Sequence, residues 1–191
     1  MRADASGAPR IPLVERIVRR MAERAGAVTF KGGPLTLVGT EIAVGQPAPE
    51  VALLANDLSE VSLSSLKGKV AILVTVPSLD TPVCDTEARR FNVEAARLGP
   101  GVRVAVISTD LPFAQARWCG AAGVENVQTL SDHREVAFGT AYGVLIQELR
   151  LLARAVFVVD KGGIVRYIQV VKEVTDEPDY EQALAAATAL I

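Results

Sequence analysis

The chain has little of what most catalytic chemistries draw on. Its 191 residues include two cysteines, one histidine and one tryptophan, and aromatic residues make up 5%. Two cysteines cannot staple a small secreted scaffold or fill a four-cysteine zinc site. The single histidine, His133, argues against most metal enzymes and against a Ser-His-Asp or Cys-His hydrolase. Following Ser131-Asp132, it reads as a surface or capping residue. Charge of one sign is also scarce. Twenty Lys and Arg against 22 Asp and Glu leave a net −2, which carries no mark of a nucleic-acid partner. Long hydrophobic runs are missing. Val70 to Pro77 and Ala183 to Ile191 fall far short of the ~20 residues that cross a bilayer. The first apolar stretch, Ile11 to Val14, is cut by Glu15 and is too short for a signal-peptide core. The expectation is a soluble cytoplasmic protein without a membrane partner, in a compartment where thiols stay reduced. No cofactor and no metal are expected.

What is there is 50% apolar sequence, enough for one packed domain with an appendage. Residues 1–27 carry six arginines against Asp4, Glu15 and Glu23, a net +3 that leaves −5 for the remainder. Leu13, Val14, Ile17, Val18, Met21 and Ala25 follow helical spacing, and Pro12 suits a first turn. This predicts a basic amphipathic extension that packs on the body or a partner subunit, or lies on a membrane surface. From 28 to 191 the pattern is one continuous domain. Val28–Lys31 and Leu35–Val38 flank Gly32-Gly33-Pro34 as a hairpin. Glu50–Leu54 and Val61–Leu63 are short strands. Lys69–Val76 is a strand buried on both faces, followed by a helix over 84–98 and a second buried strand, Val102–Ser108. That strand–helix–strand order implies a right-handed parallel unit. A helix over 112–122, a strand at Val127–Leu130 and a short helix over 134–142 follow. Ala155–Asp160 and Ile164–Val171 pair around Lys161-Gly162-Gly163, a turn without phosphate-loop context, and a helix starts at Asp179.

The link after the first buried strand reads Pro77-Ser78-Leu79-Asp80-Thr81-Pro82-Val83-Cys84, where α/β folds place their ligands. Thr81 suits an N-cap and Pro82 a first helical residue, which puts Cys84 at the third position. That slot ordinarily holds a carboxylate. The unpaired amides and the positive end of the helix dipole favour thiolate, the nucleophilic form. The Thr81 hydroxyl can donate toward the sulfur or a bound oxygen. Asp85 works against the thiolate, so a further cation is needed. The competing reading is that Cys84 is a small buried hydrophobe.

Pro77, Thr81 and Cys84 form Pro-x-x-x-Thr-x-x-Cys, and in this the chain resembles the peroxiredoxins. Asp110-Leu111-Pro112-Phe113-Ala114-Gln115-Ala116-Arg117-Trp118-Cys119, Ala141-Tyr142-Gly143-Val144 and Glu177-Pro178-Asp179-Tyr180-Glu181 are similar to the thiol peroxidase branch of that family. The resemblance runs from about Val28 to the C-terminus and leaves residues 1–27 without a role. The element order is likewise similar to thioredoxin-like folds. It implies an α/β three-layer sandwich with a central mixed β-sheet and an N-terminal β-hairpin.

The resemblance implies that Cys84 attacks a hydroperoxide and becomes a sulfenic acid. Thr81 would orient the peroxide, Pro77 would shield the pocket from water, and Arg154 would supply the counter-charge. It also implies that Cys119 resolves the sulfenic acid as an intrachain disulfide, reduced in turn by thioredoxin, in a homodimer. Cysteines on two intact helices do not readily meet disulfide geometry, which needs Cα atoms within ~7 Å. Local unwinding during turnover is therefore expected. Other readings remain open. Arg154 as a solvated strand-end charge is one, and Cys119 as a buried helix cysteine beside Trp118 is another. The second would make a one-cysteine peroxidase dependent on an external thiol. A dithiol oxidoreductase would carry Cys-x-x-Cys, but position 81 is Thr. A non-catalytic thioredoxin-like binding protein would not need Pro77, Thr81, Cys84 and Arg154 together. Phe113, Trp118, Phe138 and Tyr142 read as core or dimer interface, and an apolar wall near Cys84 would suit alkyl hydroperoxides.

Overall fold

The computed structural model describes residues 22–191. The chain enters through strands β1 (Glu23–Phe30) and β2 (Gly33–Val38), with Phe30 opposite Gly33. Lys31 and Gly32 between them both have positive φ, 50° and 80°, a two-residue turn whose twist matches that of paired strands. The hairpin expected around Gly32-Gly33-Pro34 is present, with its turn one residue earlier. It also starts earlier. Residues 23–27 were expected at the end of the amphipathic extension, but they are extended and lie within β1. Pairing of Glu23 and Arg24 with Val38 and Leu37 overrides the helical spacing that enlisted Ala25. The rest of the expected extension, 1–21, lies outside the described residues.

The remaining elements in order are β3 (Ala52–Leu54), β4 (Glu60–Ser62), a 3-10 turn (Leu63–Leu66) and β5 (Val70–Thr75). Next come α1 (Pro82–Leu98), β6 (Val102–Ser108), α2 (Pro112–Ala122), β7 (Val127–Ser131), α3 (Ala137–Ala141), β8 (Leu145–Ile146) and β9 (Leu151–Leu152). β10 (Ala155–Val159), β11 (Val165–Val170) and α4 (Tyr180–Thr188) end the chain. α3 is shorter than the expected 134–142. The Asp132 carboxylate accepts from the Phe138 and Gly139 amides and fixes where the helix starts. β8 and β9 were not expected, since two residues carry no periodicity.

Seven strands form the central sheet in the order β11-β10-β5-β6-β7-β3-β4. β5, β6 and β7 are parallel, and β10, β11, β3 and β4 join antiparallel. The second sheet, β1-β2-β8-β9, extends the N-terminal hairpin. Strand pleating then assigns the faces. Val70, Ile72 and Val74 of β5, with Val156 and Val158 of β10, pack with Ala88 and Phe91 of α1, Trp118 of α2 and Ala183 and Ala187 of α4. Ala71, Leu73, Ala155, Phe157 and Val159 point the other way, toward Phe138, Tyr142 and the hairpin sheet. Both faces of the sheet are covered, so all six residues of β5 are buried.

Candidate active site

β5 ends at Thr75, and Pro77, buried, leads the chain off the C-terminal end of this interior strand into α1. Thr81 is the N-cap residue and Pro82 opens the helix. A proline there loses nothing, because its missing amide would have had no helical partner. Cys84 follows at the third position with 0% of its surface exposed.

The pleat also delivers the cation. Ala155 pairs with Thr75, and the Thr75 hydroxyl donates to the Ala153 carbonyl at 2.7 Å, fixing the start of β10 against the end of β5. Arg154 lies two residues before Val156 and projects from the same face, toward α1. It is 1% exposed, which rules out a solvated strand-end charge. Its Nη2 donates to Cys84 Sγ at 3.3 Å. Nε and Nη2 each donate to the Val174 carbonyl at 3.1 Å, and Nη1 donates to Glu87.

Glu87 escaped the sequence reading. It lies one turn beyond Cys84 on α1, is wholly buried, and pairs with Arg154. Burial pushes its carboxyl up to about 7, opposed by the Arg154 charge and assisted by nearby Glu177. Burial works against the Arg154 charge too, but Glu87 and Cys84 outweigh it and hold that guanidinium firmly protonated. The signal for Glu87 was its spacing: residues three apart share a helix face, so a carboxylate at 87 lies beside the thiol at 84.

Two expectations change in detail. The Thr81 hydroxyl donates to the Ser78 carbonyl at 3.0 Å, and neither caps the helix nor reaches the sulfur. Asp85, expected to oppose the thiolate, has its charge engaged elsewhere. Arg89 Nε lies 2.9 Å from both its oxygens and the Trp118 indole donates at 2.8 Å. Arg89 above all holds that carboxyl below the usual carboxylate range.

Cys119 lies apart, on α2. Its half-buried sulfur is 3.3 Å from the Thr129 hydroxyl on β7 and 3.8 Å from Asn56 Nδ2. Asn56 and Thr129 are themselves bonded at 3.1 Å, and the three line a shallow groove with Val61, Val124 and Gln128. Both thiols are free, each on an intact helix. The structure thus brings Pro77, Thr81, Cys84 and Arg154 to one end of the sheet and directs Cys119 away from it.

The loops bearing the two helices are joined by Asp110, another residue the sequence did not single out. Its carboxylate accepts from Ser78 Oγ, the Leu79 amide and Ser108 Oγ, each at 2.8 Å. Buried Gln115 donates to the same Ser108 hydroxyl at 2.9 Å. Among the described residues no cluster of His, Cys, Asp and Glu could hold a metal ion, and no helix is long and apolar enough to cross a membrane. Trp118, Phe138 and Tyr142 are core residues, whereas Phe113 is 65% exposed.

The chain thus places a sulfur at a helix start beside a buried guanidinium, on a sheet covered on both faces. The Redoxin family model matches residues 43–184, and the chain belongs to that family. Within it, the chain is 58% identical over 164 residues to a thiol peroxidase of Bacillus subtilis, covering 86% of this chain and 98% of that one. It is 56% identical over 165 residues to the thiol peroxidase of Halalkalibacterium halodurans, covering 86% and 99%. The crystal structure of a peroxiredoxin-like protein from Aquifex aeolicus superposes with a TM-score of 0.82 at 46% identity, over 90% of this chain and 99% of that one. A thiol peroxidase from Chromobacterium violaceum shares the fold, with a TM-score of 0.74 at 24% identity.

Proposed function

We propose that the chain is a thiol-dependent peroxidase of the peroxiredoxin type, with Cys84 as the residue that hydrogen peroxide and organic hydroperoxides oxidise. The observation that carries this reading is the 3.3 Å bond from Arg154 Nη2 to Cys84 Sγ, made where neither group meets water. A fixed cation in a dry site stabilises both the thiolate and the charge that develops on the departing oxygen. The Cys84 thiolate attacks the terminal peroxide oxygen. The S–O bond forms as the O–O bond breaks, and the leaving oxygen takes a proton to depart as water or an alcohol. Cys84 is left as a sulfenic acid. Pro77 shields the pocket, and Thr81 orients the peroxide by turning its hydroxyl from the Ser78 carbonyl toward the bound oxygen.

Cys119 then attacks the Cys84 sulfenic sulfur. An S–S bond forms, the S–O bond breaks and water leaves. Thioredoxin reduces the disulfide, its own dithiol becoming oxidised. The free, half-buried state of Cys119 supports this role, since a resolving thiol must be reachable. The enzyme works in the cytoplasm, where such a thiol stays reduced, and as a homodimer. Exposed Leu111 and Phe113 at the start of α2 are the apolar surface that a second copy would cover.

The test treats the reduced protein with one equivalent of hydroperoxide and maps the peptides by mass. A Cys84–Cys119 crosslink is expected. No reaction at Cys84 sinks the peroxidase reading. A Cys84 sulfenic acid that never reaches Cys119 leaves a one-cysteine peroxidase using an external thiol, a reading favoured by the opposed directions of the two sulfurs.

A further inference from the structure

The face of the central sheet turned away from α1 holds a cavity of about 270 Å³. Its floor is buried: Ala71 and Leu73 of β5, Val159 of β10, and Tyr142, which follows α3. Its rim is wet, with Lys67 exposed and Lys69 half-buried. The loops that wall it are tied to one another. The Ala48 amide donates to the Gly163 carbonyl at 2.8 Å and the Gly68 amide to the Lys161 carbonyl at 3.0 Å. The Tyr142 hydroxyl donates to the Pro49 carbonyl at 3.0 Å. Walls bonded in this way make a preformed site, the usual condition for binding a small molecule.

The charges at the rim are unequal. Glu50 accepts from the Ser62 hydroxyl and the Ser64 amide. Asp160 accepts from the Gly162 and Ile164 amides and from Arg166. Lys67 and Lys69 have no carboxylate within ion-pair reach among the described residues. The Lys67 stem lies over the Lys161-Gly162-Gly163 turn, its Cε 3.4 Å from where a Cβ on Gly163 would be. That turn offers no cradle for phosphate, because the Gly162 and Gly163 amides are both spent on Asp160. Two unpaired ammonium groups above a buried apolar floor suit an amphiphile with an anionic head. An apolar cavity of ~150 Å³ takes a benzene-sized body, so this larger one has room for a tail of roughly eight carbons.

We propose that this cavity binds a medium-chain carboxylate, its tail against Leu73 and Tyr142 and its head toward Lys67 and Lys69. The site is separate from Cys84. Ala71, Leu73 and Val159 lie on the sheet face opposite the one that Val156 shares with Arg154. Val159 is also five positions beyond Arg154 (159 − 154), about 16 Å along an extended strand at ~3.3 Å per residue.

The experiment titrates the full chain, reduced, by calorimetry with octanoate, 1-octanol and inorganic phosphate. Octanoate saturates at one per chain. Octanol, with the same tail and no charge, binds about tenfold more weakly, the factor that ~1.4 kcal/mol produces. Phosphate does not bind. The double variant Lys67→Met/Lys69→Met weakens octanoate about tenfold and leaves octanol unchanged. Ala48→Phe, which fills the cavity from its half-buried wall, loses both. The lysine variant changes only the wet rim, so it tests the site even if Ala48→Phe fails to fold. Saturating octanoate leaves the rate of Cys84 oxidation by hydrogen peroxide unchanged. Absence of saturable octanoate binding overturns the proposal, as does wild-type octanoate affinity in the lysine variant. Phosphate binding that the lysine variant loses would make the rim a plain anion site and overturn the carboxylate assignment. Competitive slowing of Cys84 oxidation by octanoate would move the carboxylate to Arg154 and overturn it too.

Discussion

Cys84 and Cys119 each lie on a helix that follows a parallel strand, one early and one late, yet their surroundings differ in kind. Cys84 is enclosed, and its polar neighbour is a permanent cation pinned by a carboxylate and a carbonyl. Cys119 is half open, and its polar neighbours are a neutral hydroxyl and a neutral amide. A buried charge is expensive unless it is held by several partners, and Arg154 has them. On the proposed division of labour, the thiol that ionises and meets a peroxide is preorganised, and the thiol that travels is lightly held.

The largest effect comes from exchanging roles. Cys84→Ser abolishes peroxide turnover, whereas Cys119→Ser still consumes about one equivalent of hydroperoxide per chain before stopping. Burst titration of peroxide loss separates the two. If Cys119→Ser lacks the burst, the two thiols are not divided as described. Next is Arg154→Met, which slows oxidation of Cys84 by ~10²–10³, the usual cost of losing one preorganised donor to developing charge. Stopped-flow oxidation at low peroxide measures it, and a rate near wild type would make the guanidinium incidental.

A third prediction concerns pH. The folded protein holds the Glu87 carboxyl up at about 7, against 4.5 for a free glutamate, so the folded state keeps a proton that the unfolded chain releases. Stability therefore falls as pH rises from about 4.5 to about 7 and then levels. The contribution is ~1–3 kcal/mol, read by urea unfolding across that range. Glu87→Gln removes this fall, and a variant with the wild-type slope would disprove the assignment. The smallest effect is at the second cysteine. Thr129→Val removes one neutral hydrogen bond and changes disulfide formation by less than about tenfold. It leaves the first oxidation untouched, and a change in that step instead would mean the two sites are not separate.

Much of this was legible in the residues because the signals were local. The limits of β6 and α2 agree with the expected 102–108 and 112–122, since a β-branched run and a proline at a helix start declare themselves. Thr81-Pro82 located the start of α1, and that alone put Cys84 on the turn that matters. Arg154 came from the resemblance, but its depth could not be read from Leu152-Ala153-Arg154-Ala155, a string equally consistent with a solvated strand end. It took the pairing of Ala155 with Thr75 to set which face it joins. Glu87 was hidden because a glutamate in a helix usually meets water. Its burial depends on Arg154, 67 residues away. The bond between Asp85 and Trp118 is likewise a meeting of two helices and leaves no local trace. Ala25 misled for the opposite reason, as its local spacing was helical and strand pairing decided otherwise.

The Val174 carbonyl, which receives two of Arg154's bonds, has a consequence for how the protein is made. The amide of that same residue donates to Thr29 of β1 at 2.8 Å, and the Thr29 amide returns a bond to Lys172. The arginine's support is therefore stitched from the first strand and from a segment close to the end of the chain. Synthesis delivers Cys84 before Arg154, and Arg154 before the Val174 carbonyl that helps to hold it. A growing chain therefore carries an ordinary thiol. The thiol paired with Arg154 comes into being only once residues 154 and 174 have joined the fold.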